Sequence, residues 1–351
     1  MSLTLPVAEL MLREAKVRPI TGRALVFGRS TVPIEPPVMD ALFAQLDFHR
    51  PDTAVEFDHV TRGAKQYAPK QFYTDQTFYR WLGLNQIDVV DVSDYEGADI
   101  VHDICRPLPE HLREQYDFVF NSSVLDNVFD PAAALRHMTS ALKPGGRIVH
   151  LEMASYDAFP YLVFTPGWFQ DYHAVNAFER CQIYLAQFNS IEELIFGPYT
   201  MWGCLPLAGQ RLSAPAMKGS MAAVMGIAER GADSTIDESP IQGHYRSDAH
   251  QEAIDRGMHH FAQTSLPFHL AHGTAPGVGD TVDNTQWKWI QCGVFGAAKL
   301  TIDRQSKAAA AAEPPAIADQ APTPTPGGPM PRKGFRQTIA RLLRRRERTG
   351  A

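Results

Sequence analysis

The chain has 351 residues, 44% hydrophobic and 21% charged, which is ample for a buried core without staples. Its four cysteines (Cys105, Cys181, Cys204, Cys292) are scattered with no C-x-x-C pair, which argues against a disulfide framework or a cysteine-rich zinc site and fits a reducing compartment. The net charge of −6 hides an asymmetry, because residues 331–351 balance at +7 and the rest of the chain at −13.

No basic-then-apolar leader pattern opens the chain, and no apolar run approaches the roughly 20 residues that span a bilayer, so a cytoplasmic location is expected. In chain order, the spacing predicts a helix over 5–16 and then a strand, Ala24-Leu25-Val26-Phe27, ending at Gly28-Arg29-Ser30-Thr31. A helix is expected over 35–48 behind Pro36-Pro37, with Val38, Leu42, Phe43 and Leu46 on one face. Residues 50–73 are polar and aperiodic and yield no assignment. Thr74-Asp75 reads as the cap of a helix running through Trp81 and Leu82. Strands follow at 87–90 and 100–102, closed by Asp91 and Asp103.

Residues 117–152 carry the strongest pattern. An apolar strand, Phe118-Val119-Phe120, leads to the polar turn Asn121-Ser122-Ser123 and a helix over 132–142. The breaker Lys143-Pro144-Gly145-Gly146 precedes a second buried strand, Ile148-Val149-His150-Leu151. Residues 156–188 are dense in aromatics and read as helices and loops over the carboxyl edge of the sheet. A helix is expected over 249–262, and a closing strand over 287–296. Strands alternating with helices predict an α/β fold with a doubly wound, mostly parallel sheet, whose ligands sit at the carboxyl ends of the strands.

The D-x-V strand, the amide loop at Asn121, the helix and the L-K-P-G-G run resemble the back half of the class I S-adenosylmethionine-dependent methyltransferase family, which has a Rossmann-like fold. The resemblance covers about residues 20–190 and the closing strand near 287–300. The front half departs from the usual D-x-G-x-G-x-G loop: Gly28-Arg29-Ser30-Thr31 has one glycine and no acid. Together with D-V-S-D-Y-E-G-A after the second strand, this resembles a divergent branch in which G-R-x-T replaces the glycine loop.

The resemblance implies S-adenosylmethionine as cofactor, with Gly28, Arg29 and Thr31 as a substitute loop. Arg29 would meet the methionine carboxylate and Thr31 would donate its hydroxyl. Asp91 takes the ribose position, since an ionised carboxylate accepts two hydroxyls at once. Asp103 takes the adenine side, and Asn121 and Ser122 flank the methyl donor. Bases for the acceptor proton are sought among Asp126, His150, Glu152, Asp171 and His173, with Asp126 and His173 preferred. Glu252, Asp255 and His259 share a helix face but lack a tight ligand spacing, so no metal is expected.

The expected organisation is a catalytic domain over 1–305, a disordered Ala/Pro-rich spacer over 306–331, and a basic amphipathic tail helix over 332–351. In the tail, Phe335, Ile339, Leu342 and Leu343 form a narrow apolar stripe among arginines, a form suited to an anionic membrane surface more than to nucleic acid. The expected activity is methyl transfer to a small-molecule or glycan acceptor, with the enzyme cytoplasmic and held peripherally at the inner face of the membrane. The alternative is a catalytically silent module that recruits partners through the tail.

Overall fold

The computed structural model describes residues 2–155, 160–205, 220–264, 281–284 and 287–298. Helix α1 (Leu5–Val17) has a proline in its first turn, where no N–H is needed, and stops as the Arg18 N–H closes on the Glu14 carbonyl. Strand β1 (Gly22–Phe27) is buried over its last four residues. Gly28, at φ +72°, then turns the chain out of the sheet at a conformation that favours glycine. Helix α2 (Pro36–Leu46) follows. The short α3 (Arg62–Gln66) and α4 (Asp75–Leu82) begin at Thr61 and Thr74, whose hydroxyls accept the N–H groups of Ala64 and Thr77.

Next come β2 (Leu84–Asp91), β3 (Ile100–Val101), β4 (Tyr116–Ser122) and α5 (Pro131–Ser140), the last capped by Asp130 through the Ala133 N–H. The remaining elements are β5 (Leu142–Met153), α6 (Pro166–Val175), β6 (Arg180–Phe188), α7 (Ile191–Phe196), β7 (Tyr199–Leu205), β8 (Met221–Glu229), α8 (Asp248–Thr264), β9 (Thr281–Asn284) and β10 (Trp287–Phe295).

The described strands form a single sheet in the order β3-β2-β1-β4-β5-β8-β6-β7-β10-β9. β1 through β5 pair in parallel, and β8 inserts antiparallel between β5 and β6. β6 and β10 run in the same direction as the first five strands, so most strands share one direction. Alternation along the strands sends side chains to two cores. Ala24, Val26, Phe118, Phe120 and Val149 pack against α1, α2 and α4. Leu25, Phe27, Val119 and Ile148 pack against α5, α6 and α8. The order reverses at β1 and β4, where the chain leaves the sheet in opposite directions and a crevice opens above the carboxyl ends.

The expected α/β, doubly wound architecture is present, and the expected helices and strands of the first 152 residues lie near their observed bounds, except that the strand expected from Ile148 begins at Leu142, so Lys143-Pro144-Gly145-Gly146 lies within β5 rather than ahead of it. The aromatic segment is different. Its described residues hold α6 and then β6, an internal strand of the sheet rather than a covering of helix and loop. β7 and β8 were not anticipated at all. The spacer expected at 306–331 and the tail helix expected at 332–351 lie outside the described residues. Among the described residues, no helix is long and apolar enough to cross a membrane.

Candidate functional site

A cavity of about 520 Å³ opens over the carboxyl ends of β1, β4 and β5. It is within the ordinary range for a small-molecule site and stands where an open α/β sheet places its ligands. Its wall includes Thr31, Gly63, Ser122, Ser123, Asp126 and Glu152. Thr31, Ser122 and Asp126 were expected from the sequence; Gly63 was not.

The back wall is built on two buried carboxyls. Glu152, at the end of β5, is fully buried, and Asp126 is 1% exposed. Glu152 Oε1 accepts the Asn121 Nδ2–H at 2.7 Å and the Leu125 N–H at 3.1 Å, and its Oε2 accepts the Asp126 N–H at 3.0 Å. Asp126 accepts the Ser123 hydroxyl at 2.7 Å and the Asn127 Nδ2–H at 2.6 Å. Ser123 holds a left-handed φ of +56°, a strained backbone of the kind that gathers at functional loops. Burial pushes the Glu152 carboxyl well above the usual carboxylate range, and the neighbouring Asp126 adds to the shift. Burial also raises Asp126. Burial thus holds both carboxyls above their usual range, Glu152 the more strongly.

Asn121 is the hinge of this wall. Its amide also donates to His150 Nδ1 at 3.1 Å, so the proton of that ring resides on Nε2. Its Oδ1 accepts the Val124 N–H at 3.3 Å. Asn121 therefore faces inward and positions Glu152 rather than lining the cavity. Ser122 lines the cavity and donates its hydroxyl to the Ser2 carbonyl at 3.3 Å.

The front wall departs from expectation at Arg29. Its guanidinium is taken by Asp75 on α4, with Nε at 2.9 and 3.1 Å from the two carboxylate oxygens and Nη2 at 2.7 Å. Asp75 also accepts the Ser30 and Gln76 N–H groups. Arg29 thus pins the loop after β1 to α4 and is not presented to a ligand carboxylate. Gly28 gives its N–H to the Val90 carbonyl and serves as the turn.

Asp91 is half-buried at the end of β2. One oxygen accepts the Ser93 N–H at 3.3 Å, and the other has no partner among the described residues. Asp103 is more open. It caps the Cys105 N–H at 3.0 Å and lies 3.5 Å from Arg106. Neither acid lines the cavity, but Glu96, in the loop after Asp91, does, and it accepts the Arg62 N–H at 2.6 Å.

His173 stands apart. It is fully buried beneath the sheet, its ring 4.5 Å from Phe178 and 5.6 Å from His150, and no partner among the described residues reaches either nitrogen. Burial lowers its pKa well below the ordinary value. The structure moves it from the expected site to the core, where it cannot meet an acceptor. Asp171 is likewise turned away, paired with Arg246. On α8, Asp255 bonds Gln251 and His259 bonds Gln263, and among the described residues no set of three metal-ligating side chains converges.

The sequence reading missed a hydroxyl chain on the front wall. Thr31 Oγ1 lies 2.8 Å from Thr61 Oγ1, which donates to Asp58 Oδ2 at 2.5 Å. Asp58 and Thr61 fall in the stretch that yielded no assignment. Their signal, a D-x-x-T spacing ahead of a short helix, is a cap pattern too common to point to a site.

Residues 26–190 match a family model described as a methyltransferase domain. No curated protein matches the chain. Among solved structures, the chain is similar to a Burkholderia thailandensis 1,6-didemethyltoxoflavin-N1-methyltransferase holding S-adenosylhomocysteine, at 12% identity over 64% of this chain and 76% of that one, with a TM-score of 0.31. A Thermotoga maritima S-adenosylmethionine-dependent methyltransferase, a possible histamine N-methyltransferase, is similar at 14% identity over 64% and 89% of the two chains, with a TM-score of 0.32. A Haemonchus contortus phosphoethanolamine N-methyltransferase is similar at 13% identity over 64% of this chain and 52% of that one, with a TM-score of 0.34.

Proposed function

We propose that this chain is an S-adenosylmethionine-dependent methyltransferase, on the premise that its residues 26–190 are a methyltransferase domain. The acceptor is a small molecule or glycan held in the cavity above β1, β4 and β5. One observation carries the reading: a cavity of about 520 Å³ at the switch point of the sheet, with a buried pair of carboxyls on its back wall.

The residues present fit the cofactor at its ribose end. Asp91 ends β2 with one carboxylate oxygen uncommitted among the described residues, the chemistry that a pair of ribose hydroxyls requires. Gly28 gives the close turn beside it, and Asp103 lies at the end of the adjoining β3 on the adenine side. The cofactor supplies an electrophilic methyl group to this site. Ser122 lines the cavity where that group would be presented, Asn121 positions Glu152 behind it, and Ser123 and Asn127 hold the Asp126 carboxylate.

Asp126 is the base for a hydroxyl or amine acceptor. Burial raises its pKa, which makes it a stronger base than a solvated aspartate. Asn121 and the backbone N–H groups of Leu125 and Asp126 keep Glu152 in place. The basic tail remains an expected membrane contact, by charge and stripe alone.

Calorimetric titration of the full chain with S-adenosylhomocysteine tests the reading. Binding in the micromolar range is expected, weakened about tenfold by Asp91→Ala through loss of a charge-assisted hydrogen bond. Absence of binding by the wild type would sink the methyltransferase reading. Binding that Asp91→Ala leaves untouched would remove Asp91 from the ribose.

A further inference from the structure

The turns at the two edges of the sheet carry different surfaces. At the amino edge they hold ion pairs, Lys143 with Asp117 at 3.0 Å and Arg230 with Glu114 at 2.7 Å. At the carboxyl edge, around the cavity, they hold large apolar side chains that stand in water. Phe129 is 96% exposed, Tyr161 79% and Tyr95 70%.

These side chains belong to one rim. The Tyr161 and Leu162 N–H groups both reach the Asp126 carbonyl, at 2.8 and 3.2 Å, which lays their segment along the turn that carries Phe129. Asp126 and Pro160 line the cavity, and so does the exposed Ile191 on α7. No residue of α7 is buried, although Leu194 and Ile195 also line the cavity. Beside α3, Tyr95 precedes the cavity residue Glu96, and Lys65 Nζ lies 5.7 Å from the centre of its ring. Exposed apolar side chains scattered singly are ordinary, but a set gathered around one opening marks an interaction surface.

Charge decides between partners. The rim itself is mixed, with exposed Arg62 and Lys65 against exposed Asp94 and Glu192, so its own contribution is apolar. The positive charge of the chain is concentrated in residues 331–351, which balance at +7 against −13 for the rest. A basic segment alone holds a protein at an anionic membrane only weakly, and stable attachment takes a second, apolar signal. Phenylalanine and tyrosine suit that task, because their rings seat at the boundary between headgroups and hydrocarbon.

We propose that this rim docks on an anionic lipid surface, with Phe129, Tyr161 and Tyr95 seated among the headgroups and residues 331–351 supplying the attraction. The cavity then opens toward the lipid. The proposal goes beyond the methyltransferase reading and does not depend on it.

The test is the partition of the full chain onto phosphatidylcholine vesicles with and without phosphatidylglycerol, measured by titrating lipid. The wild type should bind the anionic vesicles more tightly than the neutral ones. Phe129→Ser and Tyr161→Ser should each weaken binding to anionic vesicles by about tenfold, the effect of returning one large apolar side chain to water. Added salt should weaken wild type and variants together and leave the ratio between them standing. Both side chains are exposed, so unfolding curves should coincide with that of the wild type, and a fold defect would show there.

Equal partition of wild type and both variants overturns the proposal, as does a wild type that binds neither vesicle. A wild type that ignores lipid but dimerises in solution, with the dimer lost in Phe129→Ser, assigns the rim to a second copy of the chain and overturns it too. Partition as expected in a protein that fails to bind S-adenosylhomocysteine keeps the docking surface and removes the methyltransferase reading.

Discussion

The acids at the ends of β4 and β5 differ from those at the ends of β2 and β3. Asp126 and Glu152 are nearly or wholly shielded from water; Glu152 is met by donors that the fold brings from Asn121, Leu125 and Asp126, and Asp126 by its turn neighbours Ser123 and Asn127. The Asp103 side chain keeps 48% of its exposure, and its partners are the Cys105 N–H and Arg106 of the same turn. Asp91 is intermediate, with the Ser93 N–H as its one local donor. The back of the site is preorganised at the expense of burying charge, whereas the front is solvated and adjusts to what arrives. Preorganised groups suit chemistry, and adjustable ones suit recognition of a flexible cofactor.

The Arg29–Asp75 pair belongs to the buried class, and breaking it should produce the largest effect. Asp75→Ala leaves an uncompensated guanidinium in the interior and should cost about 3–5 kcal/mol in denaturant unfolding. A loss below about 1 kcal/mol would move the pair to the solvated class and undo the contrast between Arg29 and Asp103.

The pH dependence of stability sharpens the same contrast. The folded pKa of Glu152 lies above its ordinary value of 4.5, so the folded state keeps a proton that the unfolded chain releases. Its contribution is present at low pH and is lost as pH rises from 4.5 toward the folded value, at up to about 1.4 kcal/mol per pH unit. Glu152→Gln should remove that slope whatever constant offset it introduces.

The buried histidines act in the opposite sense. Burial lowers His150 from 6.5 to about 3, so stability is lost as pH falls through that window, by a similar amount per unit. His173→Phe should leave stability at pH 7 nearly unchanged and reduce the acid sensitivity. Unfolding free energies measured from pH 4 to 9 check both variants. Parallel curves for Glu152→Gln and wild type would mean that Glu152 is not held in its neutral form.

Much of this architecture was legible because the central parallel strands β1, β4 and β5 are buried on both faces and therefore appear as apolar runs, such as Ala24–Phe27 and Phe118–Phe120. The antiparallel half hides its strands. β8, MAAVMGIAE, is rich in alanine and methionine, good helix formers, and becomes a strand because β5 and β6 flank it. β6 was masked by its aromatics, which read as a covering layer.

At the site, Asp126 was legible as an acid following a strand in a polar turn. Glu152 was visible as one acid among several, and only tertiary pairing singles it out. Arg29 was misassigned because its partner, Asp75, lies 46 positions away and reads locally as a helix start. His173 fails for a related reason. A histidine late in an amphipathic helix looks functional until the packing of Phe178 and His150 places it inside.

The smallest expected effects fall on the solvated acids, and there the two measurements should separate. Asp103→Asn and Asp91→Asn should each change unfolding free energy by no more than about 0.5 kcal/mol, since each carboxylate bonds only within its own turn. Affinity for S-adenosylhomocysteine should separate them. Asp91→Asn replaces the uncommitted acceptor oxygen with a donor or forces the amide to flip, and it should weaken binding several-fold. Asp103→Asn keeps an oxygen able to cap the Cys105 N–H and should weaken binding by less than about twofold. Equal losses of affinity would place both acids on the ligand with the same weight. A stability loss at Asp91 comparable to that of Asp75→Ala would show that the end of β2 is built like the back wall, and the division between a preorganised half and an adjustable half would have to be redrawn between β2 and β3.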